Sequence, residues 1–329
     1  MTVDNVRAYE IVLADGRIVK ADQSTYPDLY KALRGGGANF GIVTGFDLIV
    51  HPYEGMWGGS AIYKWDEGAR VIDAFVEYGK DDEGNVDTHV ILCVLRHDGE
   101  WIYLADLENL SAEIPTERSP LNAFRQIPMS MDLTGVSEQT ERTASIALSA
   151  PPGMWNGYWT FCTQVNADIL KYFFDAWREE ADKYPNIEGF ANTAMANINI
   201  VTKGMLNSMK RNGGNSLGLD DSTPFFVMLM ETSWVHESDG EHVWTAMRNT
   251  YTRTEQEARR LGLEHEYIYM NYANPYQDVY SSYGAQAKDF LRKTSTKYDP
   301  KGMFQRQRGA GFHLHGSMVP LPSAGTPLG

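Results

Sequence analysis

The chain has 329 residues, 43% hydrophobic and 12% aromatic, enough to bury a large core as one large domain or two smaller ones. A net charge of −14 argues against a nucleic-acid or anionic-membrane partner, which needs a basic face. No apolar run approaches the roughly 20 residues that span a bilayer, and Met1-Thr2-Val3-Asp4 has neither a basic start nor an apolar stretch, so the chain reads as soluble and without an export signal; its compartment is left open.

Tyr9 to Val19 alternates and turns at Asp15-Gly16, the pattern of a β-hairpin with a type I′ turn. Ser24-Thr25-Tyr26-Pro27-Asp28 offers a cap with proline near the first turn, and Leu29, Tyr30 and Leu33 give the helix Tyr26 to Leu33 its apolar face. Gly35-Gly36-Gly37-Ala38-Asn39-Phe40-Gly41 follows and passes into a strand from Gly41 to Val50. One or two of these glycines suffice to stop the helix; four describe a backbone shaped for close approach. The run is no dinucleotide fingerprint, because the helix precedes it and the Gly-x-Gly-x-x-Gly spacing is absent, and no Gly-Lys-Ser/Thr follows. Hairpin, helix and strand are together too small to bury their own apolar faces, and read as the tail of a domain whose front is missing.

From Ser60 onward strands alternate with longer helices. Strands are expected at Ser60 to Trp65, His89 to Arg96, Trp101 to Leu107, Tyr158 to Gln164, Ala191 to Val201 and Phe225 to Trp234. Helices are expected at Glu67 to Lys80, Thr140 to Leu148, Ala167 to Tyr184 and His242 to Leu261. In the third, Leu170, Phe173, Phe174, Trp177, Ala181 and Tyr184 form one face, opposite Lys171, Asp175, Arg178 and Glu179; such aromatic stripes are core rather than cofactor boxes. Arg211 to Leu219 reads as a glycine-rich turn.

On the strand Phe225 to Trp234, Phe225, Val227, Leu229 and Glu231 share one face and Phe226, Met228, Met230 and Thr232 the other. Glu231 is a candidate general base or, more commonly for such a carboxylate, an ion-pair partner. Glu266 to Pro275 reads as a strand with alternating aromatics, in which Tyr267, Tyr269 and Asn271 share a side. Tyrosine serves as acid or base only when a neighbouring charge or cofactor lowers its pKa from about 10. A helix from Gly284 to Lys297 follows, then Tyr298 to Gln305, then a Gly/Pro/Ser tail from Gly316 expected to be disordered. Cys93 and Cys162 are too few for a metal site, and both sit in apolar strand-like runs as small buried hydrophobes.

Five motifs in order now carry a resemblance. Asp4-Asn5-Val6 with Tyr9 to Gly16, Gly35 to Thr44, Gly213 to Gly218, Tyr269-Met270-Asn271-Tyr272, and Tyr298-Asp299-Pro300 with Met303-Phe304-Gln305 together resemble the berberine bridge enzyme-like, oxygen-dependent FAD-linked oxidoreductases, over Asp4 to Phe312. The resemblance implies an α+β fold: the second lobe of a PCMH-type FAD-binding domain (1-56), a substrate domain with a large antiparallel sheet covered by helices (57-265), a C-terminal segment returning to the FAD domain (266-315), and a tail (316-329). It implies FAD as cofactor and a small-molecule substrate, with hydride transfer to flavin and reoxidation by O₂ in secondary metabolism.

By the same resemblance Gly37, Asn39, Gly41, Ile42 and Val43 would meet the cofactor, with Asn271 and Tyr272 near the flavin and Tyr269 facing the substrate. In plant members a polar residue five positions before the strand's Trp assists catalysis; here that position is Leu229, so the base falls to Tyr269, Tyr272 or Glu231. The family's phosphate-cradling loop and its covalent attachment residues, a His and often a Cys, have no counterpart ahead of Asp4, and a flavin held by this part alone would lack that cradle of backbone donors. The other function compatible with this sequence is a flavin-free small-molecule binding protein or redox-neutral cyclase on the same substrate domain.

Overall fold

The computed structural model describes residues 1–80, 87–147, 152–219 and 223–314. In chain order the first described strands are β1 (Val6–Val12), β2 (Ile18–Asp22), β3 (Ile42–Leu48), β4 (Met56–Lys64), β5 (Thr88–His97) and β6 (Glu100–Asn109). The others are β7 (Met131–Asp132), β8 (Gly135–Ser137), β9 (Trp155–Gln164), β10 (Met195–Val201), β11 (Phe225–Trp234) and β12 (Glu264–His265). They belong to two compact units.

The first unit holds Met1–Pro52, the segment from Lys203 and the chain from Glu266 onward, around an antiparallel sheet of order β2-β1-β3. The β1–β2 hairpin forms as expected, but its turn is not type I′. That type needs positive φ at both central residues; here Gly16 has φ 84 while Asp15 does not. Gly16 N donates to Leu13 O (3.0 Å) and Leu13 N to Arg17 O (2.9 Å), which is a type I turn closed by a left-handed glycine. The next helix, Pro27–Leu33, starts after Tyr26 at φ 55, and the turn before it is set by Asp22, whose Oδ1 accepts from Ser24 N and Thr25 N at 2.7 Å. At the other end of the chain the helix Gly284–Tyr298 leads to Asp299, 3% exposed, whose carboxylate accepts from Met303 N (2.8 Å) and Phe304 N (2.7 Å) and so caps the short helix Met303–Arg306.

The second unit is an antiparallel nine-stranded sheet of order β12-β9-β11-β10-β5-β6-β4-β7, with β8 beside β4. Phe226, Met228 and Met230 share a core with Phe75 of Gly68–Lys80, with Phe173, Phe174 and Trp177 of Ala167–Ala181, and with Val243 and Met247 of Gly240–Leu261. Each such side chain stabilises the fold by about 1.5–3 kcal/mol. The helix Ala167–Ala181 starts where Asn166 Oδ1 accepts from Asp168 N (2.8 Å) and Ile169 N (3.1 Å). Cys93 on β5 and Cys162 on β9 are buried free thiols, with β10 and β11 between their strands.

Several elements differ from expectation. Glu266 to Tyr269 forms no strand and Met270–Tyr272 is a 3-10 turn, because its aromatics pack separately instead of along a ladder. Ala191 to Val201 opens with a helical turn, Phe190–Thr193, that buries Phe190. The strand expected from Ser60 begins at Met56, because Trp57 and Gly58 pair with Asn109 and Glu108. The segment from Lys203, expected within 57-265, packs in the first unit, where Arg34 binds its carbonyls. The tail from residue 316 lies outside the described residues.

Candidate functional site

β3 pairs only with β1 and is the edge of its sheet among the described residues, so one row of its main-chain groups is open to another partner. Its apolar side chains are unusually exposed: Ile42 60%, Phe46 59% and Leu48 53%. They border a cavity of about 1070 Å³, which Gly37, Gly41, Ile42 and Val43 line together with Val6, Tyr9, Met303, Phe304 and Arg308. Four of the residues singled out in the sequence therefore meet at one wall.

The glycines do different work along the run. Gly35 (φ 126) and Gly37 (φ 62) take conformations that L side chains avoid. A Cβ on Gly36 would lie 2.5 Å from Ala32 O, and one on Gly41 would lie 2.5 Å from Val12 O and 2.8 Å from Ile11 Cδ1. The close approach that requires Gly41 is thus to β1 of its own chain.

Asn39, expected at the cofactor, is completely buried with its amide engaged on both sides. Its Nδ2 donates to Gly36 O (2.8 Å), Tyr280 Oη (2.6 Å) and Phe312 O (3.2 Å), while Oδ1 accepts from Gln305 Nε2 (2.9 Å) and Arg308 Nη2 (3.2 Å). It ties the glycine run to the C-terminal segment and lines neither cavity described here.

A second cavity of about 210 Å³ is lined by Gly35, Leu217, Tyr267, Tyr269, Met270 and Asn271, and it shares Thr2, Val3, Leu33 and Gly37 with the first. Asn271 Nδ2 donates to Tyr269 Oη at 2.8 Å, which fixes the direction of the phenol oxygen. Tyr272 packs edge-on against the Tyr269 ring, 4.9 Å between centroids, and lines neither cavity. Tyr267 lies instead against Tyr283, 5.8 Å and 20° between planes, so the expected common side of Tyr267, Tyr269 and Asn271 does not form as a strand face.

Sequence reasoning missed Arg34. Its side chain is fully buried; Nε donates to Val3 O (3.0 Å), Nη1 to Arg211 O (3.3 Å), Asn212 O (2.9 Å) and Gly214 O (2.5 Å), and Nη2 to Asp4 Oδ1 (3.1 Å). Asp4 also accepts from the Met1 ammonium (2.8 Å) and Asn215 Nδ2 (3.0 Å). The only signal for this was an arginine preceding three glycines, which local pattern reads as a helix end.

Glu231 belongs to the second unit, on the β11 face opposite Phe226, Met228 and Met230. It is partnered by Asn197 on β10 and Tyr158 on β9. Burial raises its pKa above the usual carboxylate value, opposed by the bonds from Asn197 and Tyr158. Burial also raises Tyr158, with the Glu231 charge adding to the effect, and pushes the neighbouring Cys93 thiol up. Among the described residues no group of His, Cys, Asp and Glu could hold a metal ion, and no helix is long and apolar enough to cross a membrane.

No family model matches the chain. It is 32% identical over 319 residues to an FAD-dependent monooxygenase of Fusarium proliferatum, covering 93% of this chain and 61% of that protein. It is 31% identical over 321 residues to an FAD-dependent monooxygenase of Cochliobolus heterostrophus, covering 92% and 60%. The chain thus spans about three-fifths of the length of these curated relatives. The BBE-like 1 protein of Physcomitrella patens shares its fold at a TM-score of 0.68 and 15% identity, over 98% of this chain and 66% of that one. The chain is thus related in sequence to FAD-dependent monooxygenases and shares the fold of a BBE-like protein.

Proposed function

We propose that the chain is the part of an FAD-linked oxidoreductase that forms one wall of the flavin site and carries the substrate sheet, acting on a small organic molecule in secondary metabolism. The observation that carries this is the apolar cavity of the first unit, bordered by an edge strand. Its walls fit a flat aromatic ring system: Ile42, Val43, Phe46 and Phe304 offer apolar surface, and the open edge of β3 offers main-chain donors and acceptors to a polar rim. FAD bound there would supply hydride acceptance from substrate carbon, followed by reoxidation by O₂.

The chain's own residues orient and handle the proton. Gly37, Gly41, Ile42 and Val43 shape the cavity wall, and Thr2 and Val3 continue it toward the Tyr269 cavity. Tyr269 Oη, held by Asn271 Nδ2, is the candidate to accept the substrate proton. Tyr272 fixes the Tyr269 ring by edge contact. The experiment is gel filtration of the purified chain after incubation with FAD: flavin absorbance should co-elute with protein, and folded protein free of flavin would overturn the reading.

A further inference from the structure

The large cavity of the first unit has apolar walls and, among the described residues, one charged lining residue, Arg308. Arg308 Nη2 donates to Phe312 O (2.6 Å) and to Asn39 Oδ1 (3.2 Å), both neutral acceptors. No carboxylate among the described residues lies within ion-pair distance of it, whereas most other arginines of the chain have one. Among the described residues its Nε is buried without a hydrogen-bond partner, and Nη1 lies over Gly311, where an added Cβ would stand 3.0 Å away. Burial lowers the pKa of the guanidinium, but not from a value that would discharge it. His313 beside it is held below the ordinary histidine value by burial and by the Arg308 charge, and Tyr280 is pushed up by burial, so neither supplies a counter-charge. A half-buried cation without an anion is costly, and a ligand that brings the anion offsets that cost.

We infer that Arg308 recognises the phosphate of a flavin nucleotide whose ring system occupies the apolar cavity. The inference rests on the flavin reading of that cavity and adds the group that distinguishes a nucleotide from the bare ring. With Nη2 engaged and Nε buried, Nη1 is the donor left to meet a phosphate oxygen, and the guanidinium charge adds to that bond. Arg308 sits on the segment after the helix Met303–Arg306, whose start Asp299 caps, and Asn39 fixes its Nη2, so its position is set by buried contacts.

The test is a titration of the full chain with riboflavin, FMN and FAD, read by flavin fluorescence, for the parent, Arg308→Gln and Arg308→Lys. The parent should bind FMN about tenfold tighter than riboflavin, with the preference shrinking as salt rises. Arg308→Gln should bind riboflavin like the parent and lose the preference, and Arg308→Lys should keep part of it. Equal binding of riboflavin and FMN by the parent, or an unchanged preference in Arg308→Gln, overturns the role of Arg308 and leaves the flavin reading standing. Failure of the folded parent to bind any of the three overturns both.

Discussion

Replacing Arg34 with Met keeps the length of the side chain and removes the charge at the centre of the first unit. Five hydrogen bonds go with it: those to Val3, Arg211, Asn212 and Gly214 carbonyls and that to Asp4. Removing one partner of a buried ion pair costs about 3–5 kcal/mol. Asp4 keeps Asn215 Nδ2 at 3.0 Å, which places the cost near the lower end, about 3 kcal/mol. That is a large share of the 5–15 kcal/mol that holds a typical domain together. The readout must be local, because all eight tryptophans lie in the second unit and their fluorescence is blind to the first. Amide hydrogen exchange at Ser216, bonded to Arg34 O at 2.9 Å, and at Gly36, bonded to Ala32 O at 2.9 Å, reports on the two segments Arg34 joins. Both should lose protection in Arg34→Met. Asp4→Asn alone and the double variant complete a cycle, in which the double variant should cost less than the sum by about 0.5–3 kcal/mol. A loss below about 1 kcal/mol, or strict additivity, refutes the claim that this pair organises the unit.

Gly41→Ala sets a methyl group 2.5 Å from Val12 O and should cost about 1–3 kcal/mol, with faster exchange along β3; parent-like exchange would show that β1 gives way freely. Tyr269→Phe keeps the ring against Tyr272 and deletes the acceptor of the Asn271 bond. Its stability should stay within about 1 kcal/mol of the parent, while turnover falls by about 10²–10⁴ with flavin absorbance intact; unchanged turnover removes this tyrosine from the mechanism. Glu231 has a folded pKa above its ordinary value, so the penalty of its charge acts above that folded pKa and vanishes below about pH 4.3. Glu231→Gln should therefore be more stable than the parent at pH 8, by a margin that shrinks as pH falls through the folded pKa. Tryptophan fluorescence follows this unit, and an equal margin at pH 4 and pH 8 would contradict the assignment.

The strongly patterned elements were legible in the sequence. The stripe from Leu170 to Ala181 has helical period and is buried against the sheet, and the β1–β2 hairpin announced itself by alternation around Gly16. The turn type was not legible, because Asp-Gly serves both a two-residue turn and a three-residue turn closed by glycine, and the register of the flanking strands decides between them. Tyr267 to Tyr272 misled because alternating aromatics satisfy the strand pattern equally well when each ring finds its own partner, Tyr283 for Tyr267 and Tyr272 for Tyr269. At the candidate site, Gly37 and Gly41 to Val43 were found from the motif and meet at one cavity wall, whereas Asn39 is fully used inside the fold. The partners of Arg34 and Arg308 stand far along the chain, Gly214 for one and Asn39 for the other, and nothing local encodes a contact at such separation.

On the function proposed here the flavin sits in the cavity bordered by β3. Hydrogen exchange of the chain with and without FAD tests it most directly. FAD should slow exchange along the open edge of residues 41–48 and through 303–308, leaving the helices of the second unit unchanged. Bound flavin with protection confined to other segments would contradict the claim.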